Sequence, residues 1–360
     1  VTDALGQITT HEYDARGNLV HLSDPAGNAT RWSYDDQRRL VSATDALGQT
    51  TRCTYDETGR LVSIRDPLGA TTTSHYDALG RLVATNDPVG RTTRVKYGAS
   101  GQISELIEAG GQTHRFEYDV AGRLVHEVNP LGGATHYRYD PRDRLVETID
   151  VAGGSWRFAY SADGSSVETT DPLGGTTRVS YDRHGYLESL IDPMGRVMRQ
   201  HADPLGRILR AEGPDGLSYT SSDGTGAREE GLADESGSFL TVRSDVLGRP
   251  AVLSGANGLE IRLAYDPVGN LTTSEDNRGA RVLHERDALG RLTALQDSIG
   301  GRTEYRYDQA GRLVEEADPL GHVRRFDYNL AGDLIRVQGP TGAAVTLAYD
   351  DAGLLRELRT

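Results

Sequence analysis

Adjacent acidic pairs such as Asp35–Asp36, Glu229–Glu230 and Asp350–Asp351 are of a type that suits general acid and base work. Adjacent positions on a strand point to opposite faces, and both Asp pairs fall in turn motifs, so neither kind converges on one substrate. The expected work of an Asp in a turn is local hydrogen bonding. The ten histidines are His11, His21, His75, His114, His126, His136, His184, His201, His284 and His322. None forms the H-x-H or H-E-x-x-H spacing of a metal site. If Tyr118 pairs opposite Arg123, His114 and His126 come near each other but out of register and on opposite faces. Cys53, the sole cysteine, occupies a slot otherwise filled by Trp32, Val95, Phe116, Phe158 and Phe326. That reads as a small apolar side chain rather than a nucleophile, and it rules out an internal disulfide. No phosphate-cradling G-x-x-x-x-G-K-[ST] loop occurs. The expectation is therefore no catalytic, cofactor-binding or metal residue, no cofactor, and no enzymatic activity.

The elements that carry these residues repeat. Tyr55-Asp56-Glu57-Thr58-Gly59-Arg60-Leu61 returns as Tyr76-Asp77-Ala78-Leu79-Gly80-Arg81-Leu82, and again from Tyr118 and Tyr307. A second phrase lies between, as in Asp66-Pro67-Leu68-Gly69, Asp171-Pro172-Leu173-Gly174 and Asp318-Pro319-Leu320-Gly321. Both recur every 21 residues, and from Tyr13 to Tyr349 the phase does not slip. Each period holds two Asp-x-x-Gly tetrads, in which Asp accepts from the amide two residues on, Pro presets φ and Gly takes the left-handed conformation. Both read as tight hairpin turns, type I with a glycine bulge. One Asp per turn, often beside Pro, supplies too few oxygens for calcium.

Six or seven residues rich in Thr, Val and Tyr separate the turns, a strand's length. Thr135, Tyr137 and Tyr139 alternate with His136 and Arg138, the period of two of a strand with one aromatic and one more polar face. Leu61 and Val62 point to opposite faces, which predicts partial cover on both. The tyrosine ladder is read as packing between hairpins, each ring against the next hairpin's Leu. The fold class expected is all-β: an antiparallel hairpin meander of about 34 strands in one array over residues 1–360. At ~4.8 Å per strand it is a ribbon on the order of 160 Å long. A sheet that wide must curl, and a closed ring would be about 50 Å across, too wide for side chains to fill. The expectation is one band of a spiral, hollow β-shell.

Composition agrees. Hydrophobic residues make up 36% and glycines number 43, poor material for a thick core and good material for turns. The net charge of −14 and the even spread of arginines oppose nucleic-acid binding. No run approaches the roughly 18 apolar residues of a membrane helix. The chain opens at Val1 with Asp3 already in a repeat, and is read as an excerpt of a longer polypeptide.

The alternation of Asp-Pro-Leu-Gly with Tyr-Asp-x-x-Gly-Arg-Leu resembles the YD repeat of the Rhs family over almost the whole chain. Related repeats occur in insecticidal toxin complexes, wall-associated bacterial proteins and teneurins. The resemblance implies a β-shell enclosing a C-terminal toxin domain of the same parent polypeptide. It further implies a secreted or cell-surface polymorphic toxin, exported from a bacterial cytoplasm and delivered to competitor or host cells. Type VI secretion is the leading route, with a secretion-apparatus spike or a chaperone as further partners. The family's self-cleaving D-P-x-G-L segment is not matched: the Asp-Pro-x-Gly tetrads and their Asn129 variant are followed by residues such as Ala70, Arg91, Gly133, Gly175, Arg196, Arg207 or His322, never by Leu. The alternative reading is an extracellular recognition module whose aromatic or polar face binds a glycan or a protein.

Residues 203–260 loosen the pattern. Ala202, Asp223 and Ser244 replace Tyr, although Asp203 and Asp245 keep the phase. Ser221 to Gly226 are short of apolar residues, which predicts local mobility. A ribbon with open edges is also expected to self-associate when isolated.

Overall fold

The computed structural model describes residues 1–223 and 228–360; Gly224, Thr225 and Gly226, part of the loosened stretch, lie outside the described residues. The chain is all-β. Among the described residues, thirty-four strands of four to eight residues run from Thr10–Tyr13 to Leu355–Arg359 in one open antiparallel sheet. Among the described residues there is no helix, and hence none long and apolar enough to cross a membrane.

Each turn closes as its residue types dictate. The Asp56 amide donates to the Arg60 carbonyl at 3.0 Å and the Gly59 amide to the Asp56 carbonyl at 3.0 Å. Gly59 has φ 88°, the left-handed conformation that completes a type I turn with a bulge. Arg38 and Asp143 take the same conformation at φ 65° and 63° without being glycine, a local strain the flanking strands hold.

The strand that ends in Tyr alternates half-buried and exposed residues, as in Thr113–Tyr118 and Ala134–Tyr139. The strand that begins with Leu is half-buried throughout, as in Leu124–Val128 and Leu145–Ile149, so both faces are partly covered. A single layer buries little completely: Ala70, Ala202 and Ala294 are its buried apolar side chains, and no large one is fully buried among the described residues.

The register differs from the sequence expectation. Tyr118 lies opposite Leu124, not Arg123, because the Arg123 carbonyl closes the turn on the Asp119 amide at 3.0 Å; a bulge after Glu117 then shifts the pairs beyond it. His126 then faces Glu117 on one side and His136 on the other, so the histidine it meets is His136, not His114.

The fold divides into two compact units. The first comprises residues 1–96, 106–112 and 263–360; the second comprises residues 97–105 and 113–262. In the second, pairing persists where Tyr is lost: Ser218–Asp223 pairs with Arg228–Asp234, which pairs with the long strand Gly237–Ser244.

In the first unit, the Asp-Pro rim of the early hairpins meets the Tyr-Asp rim of the late ones. Ala26 and Asn28 line one cleft of about 500 Å³ with Val268, Asp287 and Ala288. The tips show the cover: Leu68 is 38% exposed and Val89 44%, against 91% for Ile299 and 80% for Leu320 on the later Asp-Pro turns. At Gly110 the approach is so close that an added Cβ would sit 2.6 Å from Ala352 Cβ. Leu, found at this turn position as Leu68 and Leu131, would not fit. Gly110→Leu should cost about 1–3 kcal/mol by overpacking. A lowered urea midpoint checks this, with Leu131→Gly as the control expected to change little.

Candidate functional site

The recurring arrangement of side chains is a clamp between successive repeats. Asp56 Oδ1 accepts the amides of Thr58 and Arg60, both at 2.9 Å, so the carboxylate orders its own turn. Its Oδ2 accepts Arg60 Nε at 2.7 Å. Arg60 also donates through Nη1 to the Asp77 carbonyl of the next turn at 3.1 Å and lies over the Tyr76 ring, 5.1 Å from its centre. The Tyr76 hydroxyl donates to the Leu61 carbonyl at 2.8 Å. Each period is thus tied to the next by one guanidinium, one ring and one hydroxyl.

The clamp recurs in phase. Arg39, Arg123, Arg144, Arg291 and Arg312 lie 4.5 to 5.0 Å from the ring centres of Tyr55, Tyr139, Tyr160, Tyr307 and Tyr328. Those five tyrosines donate to the carbonyls of Leu40, Leu124, Leu145, Leu292 and Leu313. Each of these hydroxyls therefore engages the backbone of the preceding hairpin's Leu.

The clamp sets the charge of its acids. The amide and then the guanidinium of Arg39 hold Asp35 below the usual carboxylate range, and Arg81 does the same for Asp77. Where Arg is missing, Ser161 and the amide and hydroxyl of Ser165 bring Asp163 down to about 2.

The opposite face carries cross-strand charge stripes. Glu147 lies between Arg138 at 2.9 Å and Arg157 at 3.5 Å, and Glu315 lies between Arg306 at 3.4 Å and Arg325 at 3.1 Å. Glu285 takes both terminal nitrogens of Arg302, at 2.6 and 2.7 Å. Arginines are neutralised along the stripes rather than gathered for a phosphate backbone.

The acidic pairs do not converge. Asp35 bonds its turn, while Asp36 is exposed and met by Arg16. Asp350 bonds the amides of Ala352 and Leu354, and Glu230 takes Arg228 and the Tyr219 hydroxyl. Cys53 is half-buried opposite Ile64. His126 and His136 stack with ring centres 4.4 Å apart. Among the described residues no group of three or more His, Cys, Asp or Glu gathers as metal ligands. The clamp's guanidinium was missed from the sequence, although Arg60, Arg81, Arg123, Arg144 and Arg312 in one phase were its visible signal.

An uninterrupted meander with such clamps defines a class, the β-hairpin repeat array. The RHS Repeat family model matches residues 1–29, 13–50, 34–71, 55–92, 76–113, 97–134, 118–155 and 286–323, and the chain belongs to that family. No curated protein matches it in sequence. Among solved structures it is similar to TcdB2-TccC3, with TM-score 0.62, 15% identity and coverage of 96% of this chain and 23% of that one. TcdB2-TccC3-Cdc42 gives TM-score 0.61 and 16% identity over 95% of this chain and 22% of that one. A Tc holotoxin pore from Photorhabdus luminescens gives 0.63 and 15% over 96% and 22%. The likeness is one of fold, and the chain spans less than a quarter of those chains' length.

Proposed function

We propose that this chain is a wall section of an encapsulating shell in an Rhs-type polymorphic toxin. It does no bond chemistry itself and holds, by enclosure, a C-terminal toxin domain of its parent polypeptide. The observation that carries this reading is the clamp: the side chains that recur in phase are spent on tying hairpin to hairpin. The fold shared with TcdB2-TccC3 over nearly the whole chain supports it. In this reading the parent is exported from a bacterial cytoplasm and delivered to competitor or host cells, with type VI secretion the route to test first. The remaining shell of the parent is its structural partner, and a delivery spike or chaperone its external one. Glycan recognition by the aromatic ladder has less support, because the ladder's hydroxyls at Tyr76, Tyr139 and Tyr307 are committed to backbone carbonyls.

Limited proteolysis of the parent protein tests the proposal. The C-terminal domain should survive protease while the repeats are intact and be digested at least roughly tenfold faster once residues 1–360 are deleted. Equal digestion rates would refute enclosure.

A further inference from the structure

Rim-to-rim contact between near-identical repeats is ambiguous. Sliding one rim by a single repeat, about 9–10 Å or two strand spacings, presents the same backbone again. Something outside the repeat consensus must select the alignment, and the first unit contains one such pair.

At the fifth position of the Tyr-Asp turns the late hairpins carry Asn270, Arg291, Arg312, Asp333 and Leu354. Asp333 reverses the charge of the clamp arginine, and its turn begins with Asn329 in place of Asp. Asn329 Nδ2 donates to Asp333 Oδ2 at 2.8 Å, so this turn lacks a guanidinium of its own. On the opposing rim the equivalent position holds Gln7, Asn28, Gln49, Ala70, Arg91 and Gln112. Arg91 is the only cation in that series, and its Nη1 lies 3.0 Å from Asp333 Oδ2. Its Nε is held by Asp87 of its own turn, so the guanidinium is aimed before the rims meet. Both side chains are mostly shielded, at 18% and 21% exposed. The same Nη1 lies 2.6 Å from where a Cβ on Gly353 would sit, and Arg91 and Ala352 line one cleft of about 400 Å³.

We propose that Arg91 and Asp333 form the register key of this contact, the pair that selects one alignment of the two rims over its neighbours. A slip in one direction sets Arg91 against Arg312 and Asp333 against Gln112, two guanidinium groups face to face. A slip in the other sets Arg91 against Leu354 and Asp333 against Ala70, which leaves both charges unpaired at a shielded rim. The native alignment alone joins opposite charges, so the pair works by penalising the alternatives as well as by attraction.

The test uses the full-length parent protein with cysteine reporters and a short bis-maleimide, the linked peptides being identified by mass spectrometry. Ala109→Cys with Ala352→Cys reports the native alignment. Pro88→Cys or Pro130→Cys with Ala352→Cys reports a slip by one repeat. With the native pair only the first link should form. Asp333→Arg should lower the native-to-slipped ratio roughly tenfold, and Arg91→Asp with Asp333→Arg should restore it against the slip reported at Pro88 but not against the one reported at Pro130, which then sets the new acid against Arg312. An unchanged ratio in Asp333→Arg, or a charge-swapped double variant no better than the single one against the slip reported at Pro88, overturns the proposal. If the single variant does not fold, Arg91→Gln with Asp333→Asn decides: lost selectivity supports the key, and kept selectivity refutes it.

Discussion

Thermal stability should hold from pH 7 to pH 5 and then fall steeply between about pH 4 and pH 2 as the turn aspartates take up protons. Asp35, Asp77, Asp140 and Asp203 are all held below their ordinary 3.8, each first by the amide of the arginine four residues on, with that arginine's side chain adding to the effect. The sign follows from linkage. A carboxylate with a depressed folded pKa binds protons more readily in the unfolded chain, so its contribution is complete above the unfolded value. It is lost as pH falls through the folded one, which for Asp163 lies at about 2. Single exposed groups contribute little, but the same group recurs turn after turn, so the loss accumulates along the array. Asn129 shows that an amide can keep the turn, since its Oδ1 accepts the amides of Leu131 and Gly133 at 3.0 and 2.9 Å. Replacing several clamp aspartates by Asn should therefore flatten the acid limb and lower stability at pH 7. Melting curves by circular dichroism across pH 2–7 check this; a midpoint unchanged at pH 2.5 would contradict it.

Tyr139→Ala should lower stability by about 2–4 kcal/mol, and Tyr139→Phe by about 1 kcal/mol. The ring is half-buried, lies 5.0 Å from the Arg123 guanidinium and donates to the Leu124 carbonyl at 2.9 Å. Alanine removes the apolar contact, the cation–π partner and the hydroxyl together, whereas phenylalanine removes only the last. Repeats touch mainly their neighbours, so the damage should stay local. Amide exchange should speed up in Leu124–Val128 and Ala134–Tyr139 and remain unchanged in distant hairpins such as Val323–Tyr328. A Tyr139→Ala variant within about 0.5 kcal/mol of the parent, or uniform acceleration along the chain, would remove the clamp from the account.

The meander was legible because its instructions are local. An Asp, a Pro and a Gly within four residues specify a turn, and alternation such as Thr135, Tyr137 and Tyr139 specifies a strand, whatever surrounds them. The register was less legible, since the bulge between Glu117 and Tyr118 shifts the pairs beyond it by one residue and sets His126 opposite Glu117, while the ladder after the Asn129 turn sets it opposite His136. The clamp needed successive repeats brought side by side: Arg123 reaches back to Asp119 in its own turn and forward over Tyr139 in the next repeat. The rim contact was not legible at all. Asp333 stands out in the sequence as an acid in an arginine slot, yet its meaning depends on Arg91, roughly 240 residues earlier, meeting it in space. The loss of Tyr at Ala202, Asp223 and Ser244 left strand pairing intact, because backbone hydrogen bonds carry the sheet there.

A cryo-electron microscopy map of the intact parent protein tests the central claim most directly. The account predicts that the strands of residues 1–360 form part of a closed wall, with density for the C-terminal domain on its inner side. Density for that domain outside the wall, or a repeat array that remains an open ribbon, would contradict it.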